Sequence, residues 1–106
     1  MSTFAGKLSA NGQVSNSEGA IYTVPALTTA YIKSMTFTHS SATPQTLIIY
    51  IRKGAGTSRV IFRAVMLEDY SLEYDGSFAL EAGDTVRAQT TTASVMDYTI
   101  TGIEES

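Results

Sequence analysis

The chain has 106 residues with 43% hydrophobic content, enough for one packed core and too short for two. It contains no cysteine, no tryptophan and a single histidine, His39, which excludes a disulfide framework, a thiolate metal site and a cysteine nucleophile. Ten acidic against seven basic side chains give a net charge of −3, so electrostatic capture of nucleic acid is not expected. Charged residues are only 16%, against about 25% in average usage. A surface so poor in charge and rich in Ser and Thr is expected to be covered in part by a partner.

No apolar run approaches the ~18 residues that a membrane-spanning helix requires. The longest, Leu47 to Ile51, has the length of a strand. The opening MSTFAGKLSANG lacks the apolar stretch of a secretory signal, so the expectation is a soluble, cytosolically made chain with no membrane partner.

Residues 1–19 are small and polar, with Phe4, Leu8 and Val14 as sparse apolar positions. They read as a flexible or extended arm, either one that orders on a neighbouring subunit or an ordinary frayed terminus, ahead of one domain over 20–106. From Ala20 the texture changes to short β-type runs. Ala20–Val24 ends at Pro25, which cannot donate to a ladder. In Ala30–His39, Tyr31, Met35 and Phe37 are expected on one face with threonines on the other. Gln45–Lys53 has apolar residues on both faces, Leu47, Ile49 and Ile51 against Ile48 and Tyr50, and predicts a strand covered on both sides.

Gly54–Thr57 reads as a hairpin turn. Arg59–Met66 follows, with Val60, Phe62, Ala64 and Met66 expected inward and Arg59, Ile61 and Arg63 outward. Tyr70–Tyr74 and Ser77–Leu80 are short strands flanking Asp75-Gly76, a tight-turn signal because glycine tolerates positive φ. Glu81–Asp84 is the next turn, then Thr85–Thr90 and Val95–Ile103 close the domain. About eight strands at intervals near 8–12 residues, with no helical period, predict an all-β antiparallel sandwich, jelly-roll-like in strand number.

Few residues could carry chemistry. His39 has Ser40 and Ser41 beside it, but neighbours on a strand point to opposite faces, so the catalytic reading is weak beside that of a solvent-facing or loop-capping histidine. The acidic pairs Glu68/Asp69, Glu73/Asp75 and Glu81/Asp84 lie at turns, where carboxylates are normally solvated or cap backbone N–H groups. No DxDxDG-type calcium loop is present, and Gly54-Ala55-Gly56-Thr57 lacks the lysine and helix of a phosphate loop, so no metal and no cofactor is expected. Arg52, Lys53, Arg59 and Arg63 flank the hairpin and form a candidate positive rim for an acidic partner, or outward charges that discourage edge pairing. The six tyrosines suit an interface, a carbohydrate surface or a half-buried sandwich layer.

Two stretches carry a resemblance. Tyr22-Thr23-Val24-Pro25-Ala26 through Thr29–Ser34, with Thr36–Thr38 and Ser41–Thr43, forms one; Leu80–Ala88, Thr92–Ser94 and Asp97–Glu104 form the other. Together, over about residues 20–104, they resemble small structural proteins of tailed-bacteriophage virions. His39 stands where that family more often has Asn. The L-x-x-G-D-x-V turn, here Leu80 to Val86, resembles one found in trimeric jelly-roll domains. In it Gly83 would free the backbone, Asp84 would bond turn amides and Val86 would re-enter the core. The resemblance implies a non-enzymatic virion protein, a capsid decoration or cement protein acting through protein–protein contacts. Its partners would be the major capsid protein or other virion subunits, and it would be a homotrimer. The alternative is a tail or neck adaptor or fibre module that binds host-surface carbohydrate. Phe4 and Leu8 in the arm, with Arg52, Arg59 and Arg63 on the rim, are the expected interface residues.

Overall fold

The computed structural model describes residues 5–67 and 70–105, with side chains from Ser9 onward. Nine strands run β1 (Ala5–Gln13), β2 (Gly19–Thr23), β3 (Thr29–His39), β4 (Gln45–Arg52), β5 (Ser58–Met66), β6 (Ser71–Tyr74), β7 (Phe78–Leu80), β8 (Thr85–Gln89) and β9 (Met96–Glu105). They form two antiparallel sheets, ordered β1-β9-β3-β6 with β7 also on β3, and β2-β8-β4-β5. The protein is an all-β sandwich, and no helix occurs among the described residues.

The core lies between the sheets. From one come Ile32, Met35, Phe37, Met96 and Ile100; from the other come Leu47, Ile49, Met66, Val86 and Ala88, all buried. Alternation explains the choice, because every second residue of a strand faces the opposing sheet. At one end the interior turns polar. The buried Gln45 amide accepts from Thr90 Oγ1 at 3.2 Å and Thr92 N at 2.8 Å and donates to Thr43 O at 3.2 Å, so its burial leaves its amide bonded.

Residues 5–13, expected in an arm outside the domain, are a strand. They pair residue by residue with β9, from Ala5 opposite Glu105 to Gln13 opposite Asp97. Sparse apolar content misled the reading: an edge strand is held by its neighbour's backbone and needs few apolar anchors. Here Ala10 packs on the core, and Val14 is buried with its N–H on Met96 O at 2.9 Å.

Among the described residues, three breaks in strand register shift which residues face inward. The break in the β3–β9 register between Ile32 and Ser34 turns Tyr31 outward, where it is 40% exposed, and puts Ala30 and Ile32 in the core. The break opposite Ile49 and Tyr50 leaves Ile61 unpaired. Val60, expected inward, is 49% exposed, and Ile61, expected outward, packs against the core. The third falls between Ala20 and Tyr22. Ile48 and Tyr50 are half-buried: among the described residues no third layer covers them, and the Tyr50 hydroxyl donates to Gln89 Oε1 at 2.9 Å.

The Asp75-Gly76 step is not a hairpin. β6 and β7 each pair with β3, at residues 35–38 and 30–32, and not with one another. Gly76 is absent from the positive-φ positions. A Cβ there would lie 2.6 Å from the Tyr74 ring, so any side chain would make that ring shift.

Candidate functional site

Three connections meet at one end of the sandwich: residues 24–28 between β2 and β3, 53–57 between β4 and β5, and 81–84 between β7 and β8. Asp84 ties them together. Its carboxylate accepts from Lys53 Nζ at 2.9 Å, Gly54 N at 3.0 Å and Glu81 N at 2.9 Å. Its own carbonyl accepts from Val24 N at 3.0 Å, and Gly83 N donates to Val24 O at 3.1 Å. Gly83 sits at φ +88°, so glycine is what lets the turn close. Burial raises the Asp84 pKa, and the Lys53 bond with the Glu81 and Gly54 amides overrides it, so the carboxyl titrates below the usual range. The expectation that Asp84 bonds turn amides holds, and the bonds reach further than one turn.

This knot presents Leu27. Its side chain is 90% exposed, and its backbone is left-handed at φ +58°. Thr28 Oγ1 donates to Ala26 O at 3.1 Å and helps fix the turn. Beside the knot, the break between β6 and β7 opens a cavity of about 380 Å³, lined by Ile51, Ile61, Phe78 and Leu80 with Lys53 and Ala79 at its walls. The Phe62 and Tyr74 rings meet edge to face, with centroids 5.4 Å apart, and bridge β5 and β6.

The arginines do not form one rim. Arg52 is half-buried, with Nε on Gly56 O at 3.0 Å inside its own hairpin. Arg63 and Arg59 are both exposed, but they pair with Ile48 and Ile51 across β4, residues of opposite faces. The register therefore puts Arg52 and Arg63 on the outer face and Arg59 on the other. Phe4 and the Leu8 side chain lie outside the described residues; Leu8's backbone pairs with Gly102.

Sequence reasoning missed Glu18. Its carboxylate accepts from Ser58 Oγ and from Arg87 Nε, the latter at 2.7 Å, and these bonds hold its pKa below the usual carboxylate range. No sequence signal could have found it, because its partners lie 40 and 69 residues away.

The remaining polar chemistry is internal. His39 is buried, not solvent-facing: Nε2 bonds Met66 O at 3.1 Å and Leu67 O, and Nδ1 accepts from Ser41 N at 3.3 Å. It caps a loop, with both ring nitrogens occupied by backbone. Tyr22 donates to Glu104 Oε2 at 2.5 Å and Tyr98 to Ile21 O at 3.0 Å, each bond crossing between the sheets. Burial, with the nearby Glu104 carboxylate, raises the Tyr22 pKa, and burial raises that of Tyr98. Gly12 gives the Tyr98 ring its passage, since a Cβ there would lie 3.0 Å from the hydroxyl. Tyr31 and Tyr70 are the tyrosines most exposed. They sit near opposite ends of β3, since His39 N bonds Tyr70 O, and eight residues of strand separate them by about 26 Å. They make no common platform for a sugar. Among the described residues, no group of three His, Asp or Glu side chains could hold a metal ion.

A subunit described as "Bacillus endospore appendages form a novel family of disulfide-linked pili" superposes over 96% of this chain and 86% of its own, with a TM-score of 0.54 and 19% identity. What the likeness carries is the fold. Disulfide linkage is closed to this chain, which has no cysteine. A pentameric capsid protein from metagenomic phage sequences aligns over 91% of this chain and 59% of its own at 17% identity and a TM-score of 0.45. No protein-family model and no curated protein matches the sequence.

Proposed function

We propose that this chain is a non-enzymatic structural subunit of a phage virion, a capsid decoration or cement protein that works by protein–protein contact. The observation that carries the reading is how its side chains are used. His39, Gln45, Asp84, Tyr22 and Tyr98 are all engaged in internal bonds. Four large apolar side chains stand at the surface among its polar ones: Leu27, Val60, Val65 and Leu67 are about half to nine-tenths exposed. The sheet orders β1-β9-β3-β6 and β2-β8-β4-β5 support the jelly-roll reading, two interlocked Greek keys. The resemblance of residues 22–43 and 80–104 to small virion proteins supports the location.

A cement protein stabilises a shell by binding the assembled state and not its free parts, by mass action. Its partners here are the major capsid protein and other copies of itself, in a homotrimer. The test uses particles from the native source, stripped of this chain and then given it back. Restored resistance to heating is the expected result; particles equally resistant with and without the chain overturn the cement reading. Binding of the chain at the tail or neck alone favours the adaptor or fibre reading.

A further inference from the structure

We propose that the outer face of the β2-β8-β4-β5 sheet docks this chain on the shell, against a protein surface of apolar side chains bordered by carboxylates. This rests on the reading of the chain as a virion subunit and adds which of its faces makes the contact. Leu47, Ile49, Val86 and Ala88 are buried between the sheets, so the residues alternating with them point outward. The register sets Ile48 beside Arg63, Tyr50 beside Val60 and Thr46 beside Val65 on that face. Val60 is 49% exposed and Val65 65%, and Ile48 and Tyr50 are half-buried. The outer face of the other sheet is built differently. There Thr36 lies between Thr99 and Glu73, and Thr38 between Asp97 and Ser71. Hydroxyls and carboxylates are what a sheet turned to water carries, whereas apolar side chains bordered by charge mark a contact.

Charge says what the contact is with. Arg63 is exposed and, among the described residues, in no ion pair. Arg52 shares its face, and so does Arg87, which pairs with Tyr50. The carboxylate placed among them, Glu18, bonds Arg87 and Ser58. A chain with a net charge of −3 thus turns a net positive face outward, and the surface that complements it is acidic. A second copy does not supply that surface. A two-fold contact of this face with itself sets two positive faces together. On the opposite face Glu73 and Asp97 stand among Ser and Thr, and the outward pair Tyr31 and Ile103 has Lys33 and Glu105 beside it, one charge cancelling the other. Neither region joins apolar groups to net negative charge.

The experiment is rebinding of the full chain, over a concentration series, to particles from the native source that have been stripped of it. Arg63→Glu reverses an exposed charge, and Val65→Ser removes an exposed apolar group. Glu73→Lys, on the opposite face, is the control. All three positions are exposed, so melting temperatures should stay within about 4 °C of the wild type. Arg63→Glu is expected to bind about tenfold more weakly or worse, Val65→Ser about fivefold more weakly, and Glu73→Lys like the wild type. Raising the ionic strength from about 0.05 to about 0.3 M should weaken the wild type more than Arg63→Glu. A wild type that does not return to stripped particles removes the virion reading, and this face with it. A wild type that returns while Arg63→Glu and Val65→Ser return equally well overturns the face alone, and so does a loss confined to Glu73→Lys. Sedimentation velocity of the free chain keeps a second copy apart: an oligomer that Arg63→Glu dissolves gives the face to another copy and overturns the assignment to the shell.

Discussion

Replacing Asp84 by alanine tests whether the knot of three loops is a main support of the fold. The substitution removes three bonds to a carboxylate and leaves the Gly54 and Glu81 amides without it. A hydrogen bond to a charged group contributes about 1.5–3 kcal/mol. The Lys53 contribution is discounted to roughly 0–1 kcal/mol, because that side chain is 62% exposed. The two amides lie in exposed turns, where water partly replaces the carboxylate, so the expected loss is about 3 kcal/mol. With an unfolding entropy of about 2.1 cal/mol/K per residue over 106 residues, that lowers the melting temperature by about 13 °C. Thermal unfolding followed by circular dichroism, at one protein concentration for all variants, reads it. Lys53→Met removes only the exposed ion pair and should cost less than about 1 kcal/mol. A drop below about 3 °C for Asp84→Ala, or an equal drop for Lys53→Met, would refute the reasoning.

Other outcomes follow from the same contacts. Asp84 and Glu18 both titrate below the usual carboxylate range. Their stabilisation is therefore full above the unfolded-state value near pH 4 and lost as pH falls through the folded values; urea midpoints from pH 7 to pH 2 should fall less for Asp84→Asn than for the wild type. Gly102→Ala would place a Cβ 2.0 Å from the Tyr31 carbonyl oxygen beside the β3 bulge. Since the obstacle is backbone, the loss should be about 3 kcal/mol in urea unfolding, and a loss below about 1 kcal/mol would mean the strands part easily there. The Thr85 hydroxyl is buried with no bonding partner among the described residues. Thr85→Val removes it at equal shape and should leave the protein as stable or more so, by up to about 1 kcal/mol on the same assay.

Periodicity found the strands that alternate cleanly. In β4, Leu47 and Ile49 lie where the two-residue period puts them, and the glycine turn after Arg52 joins β4 to β5 as read. Periodicity failed wherever one residue is inserted. The bulges at Lys33 and Ile61 reverse parity, so Tyr31 and Val60 turn outward and Ile61 inward, and nothing in a hydropathy pattern marks a single extra residue. The arginine rim failed for the same reason, because the shift divides Arg59 from Arg52 and Arg63. β1 was invisible because its support is the backbone of β9 and its side chains are mostly small and polar. At the candidate site, Gly83 and Asp84 were legible because a glycine-aspartate turn has a local mechanism. Leu27 was not, since only the folded chain shows a leucine in left-handed backbone and out in solvent.

A building block of a particle must be found on the particle. The most direct test is to purify particles from the native source on a density gradient and count copies of this chain against the shell protein by quantitative mass spectrometry. Co-purification at a copy number comparable to that of the shell protein is the expected result. Recovery of the chain only in the soluble fractions, with none on particles, would contradict it.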